Sequence, residues 1–268
     1  MTSPHTRVNV NTLHRMKAKG EKIAMLTAYD FYTAQIFDQA GIDMLLVGDT
    51  LGMAFAGQED TLGVRLEQMV YHCEIVSRAA QRAMIVGDMP FLSYQVSAEK
   101  AVENAGALIQ DGRVQAVKLE GGRTMVPVIK RILRAGIPVM GHVGLTPQSV
   151  HRFGGWRLQG KTANSADLVL HAALALEDAG CFAVVLEAIP AELADQITEK
   201  LTIPTIGIGA GVGCDGQVLV TPDMLGITDF RARFIKRYAS VKDVLSQAAG
   251  DYLKEVKDGT FPSSENEY

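Results

Sequence analysis

Ser165-Ala-Asp-Leu-Val-Leu-His-Ala-Ala-Leu-Ala-Leu-Glu-Asp-Ala179 is followed by Gly180-Cys181 and then by Phe182-Ala-Val-Val-Leu186-Glu187. The first segment has the pattern of an amphipathic helix, and Gly180 stands just past its end as a stop signal. The second is a short, β-branched apolar run of strand length, closed by a carboxylate. Downstream, Glu192–Leu201 is helical again, and Leu-Thr-Ile-Pro leads into a strand at Ile203–Ile208. Upstream, a helix over Thr124–Ala135 stops at Gly136, and Gly-Ile-Pro leads into a strand at Pro138–Gly141. The alternation continues with strands at Ile23–Ala28, Met44–Gly48, Ala83–Gly87, Ala116–Leu119 and Gln217–Val220. Helices fall at Phe31–Ala40, Leu66–Ala80 and Ala98–Gln110. Strand alternating with helix predicts a parallel sheet, and eight such units predict a (β/α)8 TIM barrel of the α/β class. A doubly wound open sheet is the structural alternative.

Only Gly209–Gly216 separates the last two strands, so the seventh βα unit is shortened. Val8–Lys19 predicts an extra N-terminal helix closing the barrel's bottom, and Ala232–Val256 a long helix after the last strand. No linker or composition shift divides the chain. The expectation is one domain over 1–268, structured from about 8 to 262, with Ser263–Tyr268 as a flexible tail.

With 26 Lys+Arg against 30 Asp+Glu, the net charge of −4 provides no basic stripe for nucleic acid and no polybasic membrane patch. No apolar run approaches the ~18 residues of a membrane span, and Met1–Arg7 lacks the apolar stretch of a secretion signal. Cys73, Cys181 and Cys214 are odd in number and far apart, which suits a reducing cytoplasm rather than a disulfide or zinc framework. The class left is a cytoplasmic enzyme or small-molecule binder.

In such a barrel the strands' carboxyl ends build the active site. Those ends carry Asp30, Asp49, Asp88, Glu120, His142 and Glu187. Any one of these acids alone reads more readily as a helix N-cap or a loop salt bridge than as a site residue. Several at one mouth require compensation, since two carboxylates about 5 Å apart repel by roughly 3 kcal/mol at an effective dielectric of 20. Lys118 lies two residues before Glu120, on the same side of its strand, and supplies one cation. A divalent metal would supply the rest, and a nearly all-carboxylate set selects Mg²⁺ or Mn²⁺ over zinc. A 2-oxo acid can chelate such an ion, which then stabilises the enolate formed when a base removes the adjacent proton. Glu187, at the end of an apolar run, is the candidate base; its rival role is a salt bridge across the mouth.

Seven segments resemble ketopantoate hydroxymethyltransferases. They are Thr27-Ala-Tyr-Asp30, Val47-Gly-Asp-Thr-Leu-Gly-Met53, Asp88-Met-Pro-Phe91, Val117-Lys-Leu-Glu-Gly-Gly122, Gly141-His-Val-Gly-Leu-Thr-Pro-Gln-Ser149, Glu187-Ala-Ile-Pro190 and Ile206-Gly-Ile-Gly-Ala-Gly211. The likeness runs in order from about residue 8 to 262. It implies a (β/α)8 barrel that moves a hydroxymethyl group from 5,10-methylenetetrahydrofolate to 3-methyl-2-oxobutanoate. The product is 2-dehydropantoate, in the first step of pantothenate synthesis. It further implies Asp49 and Asp88 as Mg²⁺ ligands lying against the oxo acid, with Glu120 completing the metal site directly or through water. Lys118 would pair with the substrate carboxylate or oxyanion, Thr50 would hydrogen-bond the carboxylate, and Glu187 would accept the proton at C3. Thr50 stands where the family usually has Ser, which keeps the hydroxyl and adds a methyl. The resemblance also implies a homo-oligomer, a decamer.

His142 stays outside the expected site, because a strand-end His is as often a structural hydrogen-bonder. Gly211-Val-Gly-Cys-Asp-Gly216 matches G-x-G-x-x-G, but a strand follows it where a dinucleotide fingerprint needs a helix. The expectation there is a tight loop that lets substrate or folate approach the backbone. Phe153-Gly-Gly-Trp156 is either a lid, a pterin platform or a surface loop, and Cys214 is a possible reactive thiol. Competing functions are another Mg²⁺-dependent 2-oxo acid aldolase or lyase, a Schiff-base aldolase using Lys118, and a non-catalytic oxo-acid-binding barrel.

Overall fold

The structure, a computed structural model, describes residues 7–268. The expectation about a secretion signal falls on residues 1–6 and so lies outside the described residues. The chain forms two compact units, one running through Val220 and the other spanning Thr221–Tyr268.

The first unit opens with α1 (Val10–Lys19), whose Asn9 side chain caps the Thr12 N–H and whose end turns on left-handed Gly20. Then follow β1 (Ile23–Thr27), α2 (Phe31–Gln39), β2 (Met44–Val47), α3 (Leu51–Ala54) and α4 (Leu66–Ala79). Next come β3 (Met84–Asp88), α5 (Ala98–Gln110), β4 (Ala116–Glu120), α6 (Val126–Arg134) and β5 (Val139–Gly144). After α7 (Val150–Phe153) and α8 (Ala163–Ala179) come β6 (Ala183–Glu187), α9 (Ala191–Lys200), β7 (Thr205–Ile208) and β8 (Gly216–Leu219). The strands pair in chain order, all parallel, and β8 closes on β1. The sheet is a closed (β/α)8 barrel, not an open one. No helix separates β7 from β8, as the short connection required.

Side chains two apart on a strand share a face, and the inward rows explain the site. Ile23 and Met25, Met44 and Leu46, Met84 and Val86, Met140, Val185, Ile206 and Val218 fill the lower barrel. Val8 and Leu13 of the N-terminal segment join that cluster, so the extra helix does plug the bottom. Each such side chain contributes about 1.5–3 kcal/mol on burial. Higher up, the same inward rows become polar. Asp88 lies in register with Lys118, Glu120 with His142, and Glu187 with Gly144. The run Ala116-Val-Lys-Leu-Glu120 is buried throughout because its two faces meet different neighbours, barrel interior and helix layer.

The second unit holds α10 (Thr221–Met224) and α11 (Val241–Asp258). Here the expected helix over Ala232–Val256 is corrected: its first nine residues are not helical. Arg237 donates to the Thr228 carbonyl at 2.6 Å, the Tyr238 N–H donates to the Met224 carbonyl at 2.8 Å, and the Lys236 ammonium sits 4.8 Å from the Tyr238 ring centre. These contacts bind the segment as a loop. No residue of α11 is buried. Among the described residues no helix is long and apolar enough to cross a membrane.

Candidate active site

The carboxyl ends of the strands enclose a small pocket of about 40 Å³, partly open to solvent. Its floor is the upper core, Leu46, Val185, Ile208 and Val218, and its walls carry Thr27, Asp49, Thr50, Asp88, Lys118, Glu120, His142 and Glu187. All six residues singled out from the sequence as the site therefore line one cavity. Asp30 does not line it. Its carboxylate accepts the Thr33 N–H at 2.9 Å and caps α2, which is the ordinary role of an acid at that position.

Lys118 Nζ lies 2.8 Å from Asp88 Oδ1, both side chains almost wholly buried. Asp88 Oδ2 accepts the backbone N–H of Asp49 at 3.1 Å, fixing the turn after β2. Gln148 Nε2 donates to Asp49 Oδ2 at 2.8 Å, and the Gln148 backbone N–H donates to Glu120 Oε2 at 3.0 Å. The other oxygen of Glu120, Oε1, is buried without a hydrogen-bond partner. His142 Nδ1 faces Lys118 Nζ at 3.4 Å, and its Nε2 stands 3.1 Å from Glu187 Oε2, out of line for a good hydrogen bond. An ammonium only donates, so Nδ1 is the acceptor and the neutral ring carries its proton on Nε2, toward Glu187. Thr50 Oγ1 and Tyr29 OH are 2.8 Å apart.

The backbone around Glu187 is tightly constrained. Gly144 has φ +95°, and a Cβ there would lie 2.2 Å from the Glu187 carbonyl oxygen, so only glycine fits. The Leu145 N–H donates to that carbonyl at 2.8 Å, and the next residue, Ala188, takes a left-handed φ of 45°. A non-glycine residue held there stores strain of a kind common at functional sites. The turn leaves the Glu187 side chain 17% exposed, the most accessible of the four pocket acids paired in these contacts.

Four carboxylates face one ammonium. Burial first, and Asp88 second, push the Asp49 carboxyl up to about 7. Burial, with Asp49 behind it, raises Glu120 well above the usual carboxylate range. For Lys118, burial alone would favour the neutral amine, but Asp88, Asp49 and Glu120 together hold it protonated. A lysine held charged this firmly makes a poor Schiff-base nucleophile. Burial and then Lys118 keep the His142 imidazole neutral.

This excess of negative charge fits a hard divalent ion. The donors are carboxylate oxygens, one of them buried and unpartnered. Among the described residues no three acidic, thiol or imidazole side chains gather closely enough to cage a metal unaided. The oxygen donors of Asp49, Asp88 and Glu120 are of the kind that suits Mg²⁺, which one or two carboxylates hold while water and substrate oxygens supply the rest. The set does not fit a closed structural metal site.

From the sequence, His142 is weighed and left outside the expected site, and Gln148 and Tyr94 are assigned no role. His142 had a visible signal, being inward on β5 and in register with Glu120. Gln148 and Tyr94 had none, because both act across loops remote in sequence. In the glycine loop, added Cβ atoms at Gly211 and Gly213 would meet Ala191 and Asp195 of α9, so the loop packs closely on that helix. Cys214 is fully buried and burial raises its thiol, so it is not a reactive thiol. Trp156 is 47% exposed behind the left-handed Gly154 and Gly155.

A closed barrel with its titratable residues gathered at the carboxyl ends of the strands defines the class of (β/α)8-barrel enzymes. The solved structure of phosphonopyruvate hydrolase shares this fold, with a TM-score of 0.64 over 97% of this chain and 90% of that one, at 10% identity. The ketopantoate hydroxymethyltransferase family model matches residues 7–264, and the chain belongs to that family. The 3-methyl-2-oxobutanoate hydroxymethyltransferase of Syntrophus aciditrophicus strain SB is 52% identical over 263 residues, 98% of this chain and 97% of its own. The protein of the same name from Anaeromyxobacter sp. strain Fw109-5 is 54% identical over 272 residues, 100% of this chain and 89% of its own.

Proposed function

We propose that the chain transfers a hydroxymethyl group to 3-methyl-2-oxobutanoate from 5,10-methylenetetrahydrofolate, giving 2-dehydropantoate for pantothenate synthesis. What carries this reading is the convergence of Asp49, Thr50, Asp88, Lys118, Glu120 and Glu187 on one small pocket, in a chain of this family.

Asp49 and Asp88 would hold Mg²⁺, with Glu120 ligating directly or through water. The bound ion would supply positive charge to the keto oxygen of the oxo acid. Lys118, kept protonated by its acidic neighbours, pairs with the substrate carboxylate or the developing oxyanion. Thr50, oriented by Tyr29 at 2.8 Å, donates to the carboxylate. Glu187 stands at the accessible side of the pocket and takes the proton from C3. Water breaks the carbon–nitrogen bonds of the folate's methylene bridge, so tetrahydrofolate leaves with its nitrogens protonated and the carbon is released as formaldehyde. The electron pair freed at C3 forms the new C–C bond to that carbon, whose water-derived oxygen takes up a proton and becomes the hydroxyl. His142 Nε2 lies 3.1 Å from Glu187 Oε2 and turns its N–H toward the base.

The family likeness extends the proposal to a cytoplasmic homo-oligomer, a decamer. The exposed apolar side chains of α11, among them Val244, Leu245, Tyr252 and Leu253, support self-association. No charge pattern supports nucleic acid or membrane as a partner.

The test is incubation with 3-methyl-2-oxobutanoate and methylenetetrahydrofolate, with and without EDTA. Dehydropantoate formation that EDTA abolishes and Mg²⁺ restores is expected. No product with any divalent ion would sink the reading; activity indifferent to EDTA, with borohydride trapping on Lys118, would replace it with a Schiff-base reaction.

A further inference from the structure

We infer that Gln148 is a positioning residue that sorts the oxygens of Asp49 and Glu120, tying one oxygen of each and leaving the other unheld. The inference rests on the metal-binding reading above and concerns how that site is kept in shape. Gln148 Nε2 spends both hydrogens, on Asp49 Oδ2 at 2.8 Å and on the Met89 carbonyl at 2.9 Å. Its Oε1 accepts from Tyr94 OH at 2.7 Å and from Gln95 Nε2 at 3.1 Å. Its backbone N–H holds Glu120 Oε2 at 3.0 Å. Every hydrogen-bonding position of the amide is used.

Which way the amide points is settled by one-way partners. The Met89 carbonyl only accepts, so the NH₂ end faces it. Tyr94 OH accepts the Glu120 backbone N–H at 3.1 Å, and its own proton lies nearer Gln148 Oε1, at 2.7 Å, than the Glu120 carbonyl, at 3.2 Å. The NH₂ end is thereby committed to Asp49, and Glu120 Oε1 is left buried with no partner. Gln148 and Tyr94 are themselves buried, at 6% and 1% exposure, so water does not compete for these bonds. Groups that orient metal-binding side chains from behind commonly change metal affinity 10- to 100-fold when removed.

Gln148→Met keeps the side chain's length but can neither donate to Asp49 nor accept from Tyr94. Metal-free parent and variant are titrated with Mn²⁺ by calorimetry, alongside circular dichroism and steady-state kinetics. The expected result is a folded variant binding Mn²⁺ at least about 10-fold more weakly, with kcat lowered more than the oxo acid KM is raised. A merely structural role would lower Tm and leave the affinity of the folded protein unchanged. That outcome overturns the inference while the metal reading stands; a parent that binds no Mn²⁺ overturns both. If Gln148→Met does not fold, Tyr94→Phe takes its place, since it removes one of the two donors to the amide's Oε1, leaving Gln95, together with the hydroxyl's bonds to the Glu120 backbone. A several-fold loss of Mn²⁺ affinity in Tyr94→Phe supports the inference, and unchanged affinity overturns it.

Discussion

Asp49→Asn should make the metal-free protein more stable at alkaline pH while removing its activity. The Asp49 carboxyl is 2% exposed and titrates at about 7, against an ordinary value of 3.8. The native state therefore binds this proton more tightly than the unfolded chain does. Stability from the protonated form is fully present below about pH 4 and is lost as pH rises through 7. Roughly three pKa units at ~1.36 kcal/mol each give a destabilisation of about 4 kcal/mol at pH 8. Asparagine has the shape of the protonated acid and never ionises, so it escapes that loss. It also removes the charge that raises Glu120. For a chain of this size the gain corresponds to a rise in Tm on the order of 10 °C. The assay is thermal unfolding of chelator-treated parent and variant at pH 5 and pH 8. A variant gain at pH 8 that shrinks at pH 5 is expected, together with loss of product formation. An equal gain at both pH values, or none at pH 8, would refute the argument that stacked charge at this mouth strains the fold.

Glu187→Gln should still bind 3-methyl-2-oxobutanoate but exchange its C3 proton with solvent roughly 10²–10⁴ times more slowly; normal exchange, read by proton NMR in D₂O, would assign the base elsewhere. Asp30→Ala should cost about 1 kcal/mol as a lost helix cap, with kcat close to that of the parent, and a large fall in kcat would return Asp30 to the site. Gly144→Ala should destabilise by several kcal/mol or relax by moving the Glu187 backbone, since its Cβ would lie 2.2 Å from that carbonyl oxygen. Denaturant unfolding and kcat check this, and a stable, fully active variant would show that the β5–β6 contact yields freely.

The barrel was legible in the chain because its causes are local. Each strand is a short apolar run bounded by Gly, Pro or a carboxylate, and parallel strands need helical crossovers of the observed length. The inward face of Ala116-Val-Lys-Leu-Glu120 follows from strand geometry alone, so Lys118 and Glu120 could be paired before any fold was seen. Asp49, Asp88 and Glu187 were readable for the same reason: each sits where a strand ends.

Tertiary structure alone decided which strand-end acids share a pocket. Asp30 and Asp49 look alike in sequence, yet one caps α2 and the other meets Gln148 from 99 residues away. Burial is collective, so the shift of Asp49 depends on Asp88 and on the barrel wall rather than on its neighbours in the chain. The loop after β8 was misread as helix because its periodicity is helical while its arginine and backbone hydrogen bonds are spent elsewhere. Sequence sets what each residue can offer; closure of eight strands into one mouth sets which offers meet, because only there do side chains from distant strands share one desolvated space.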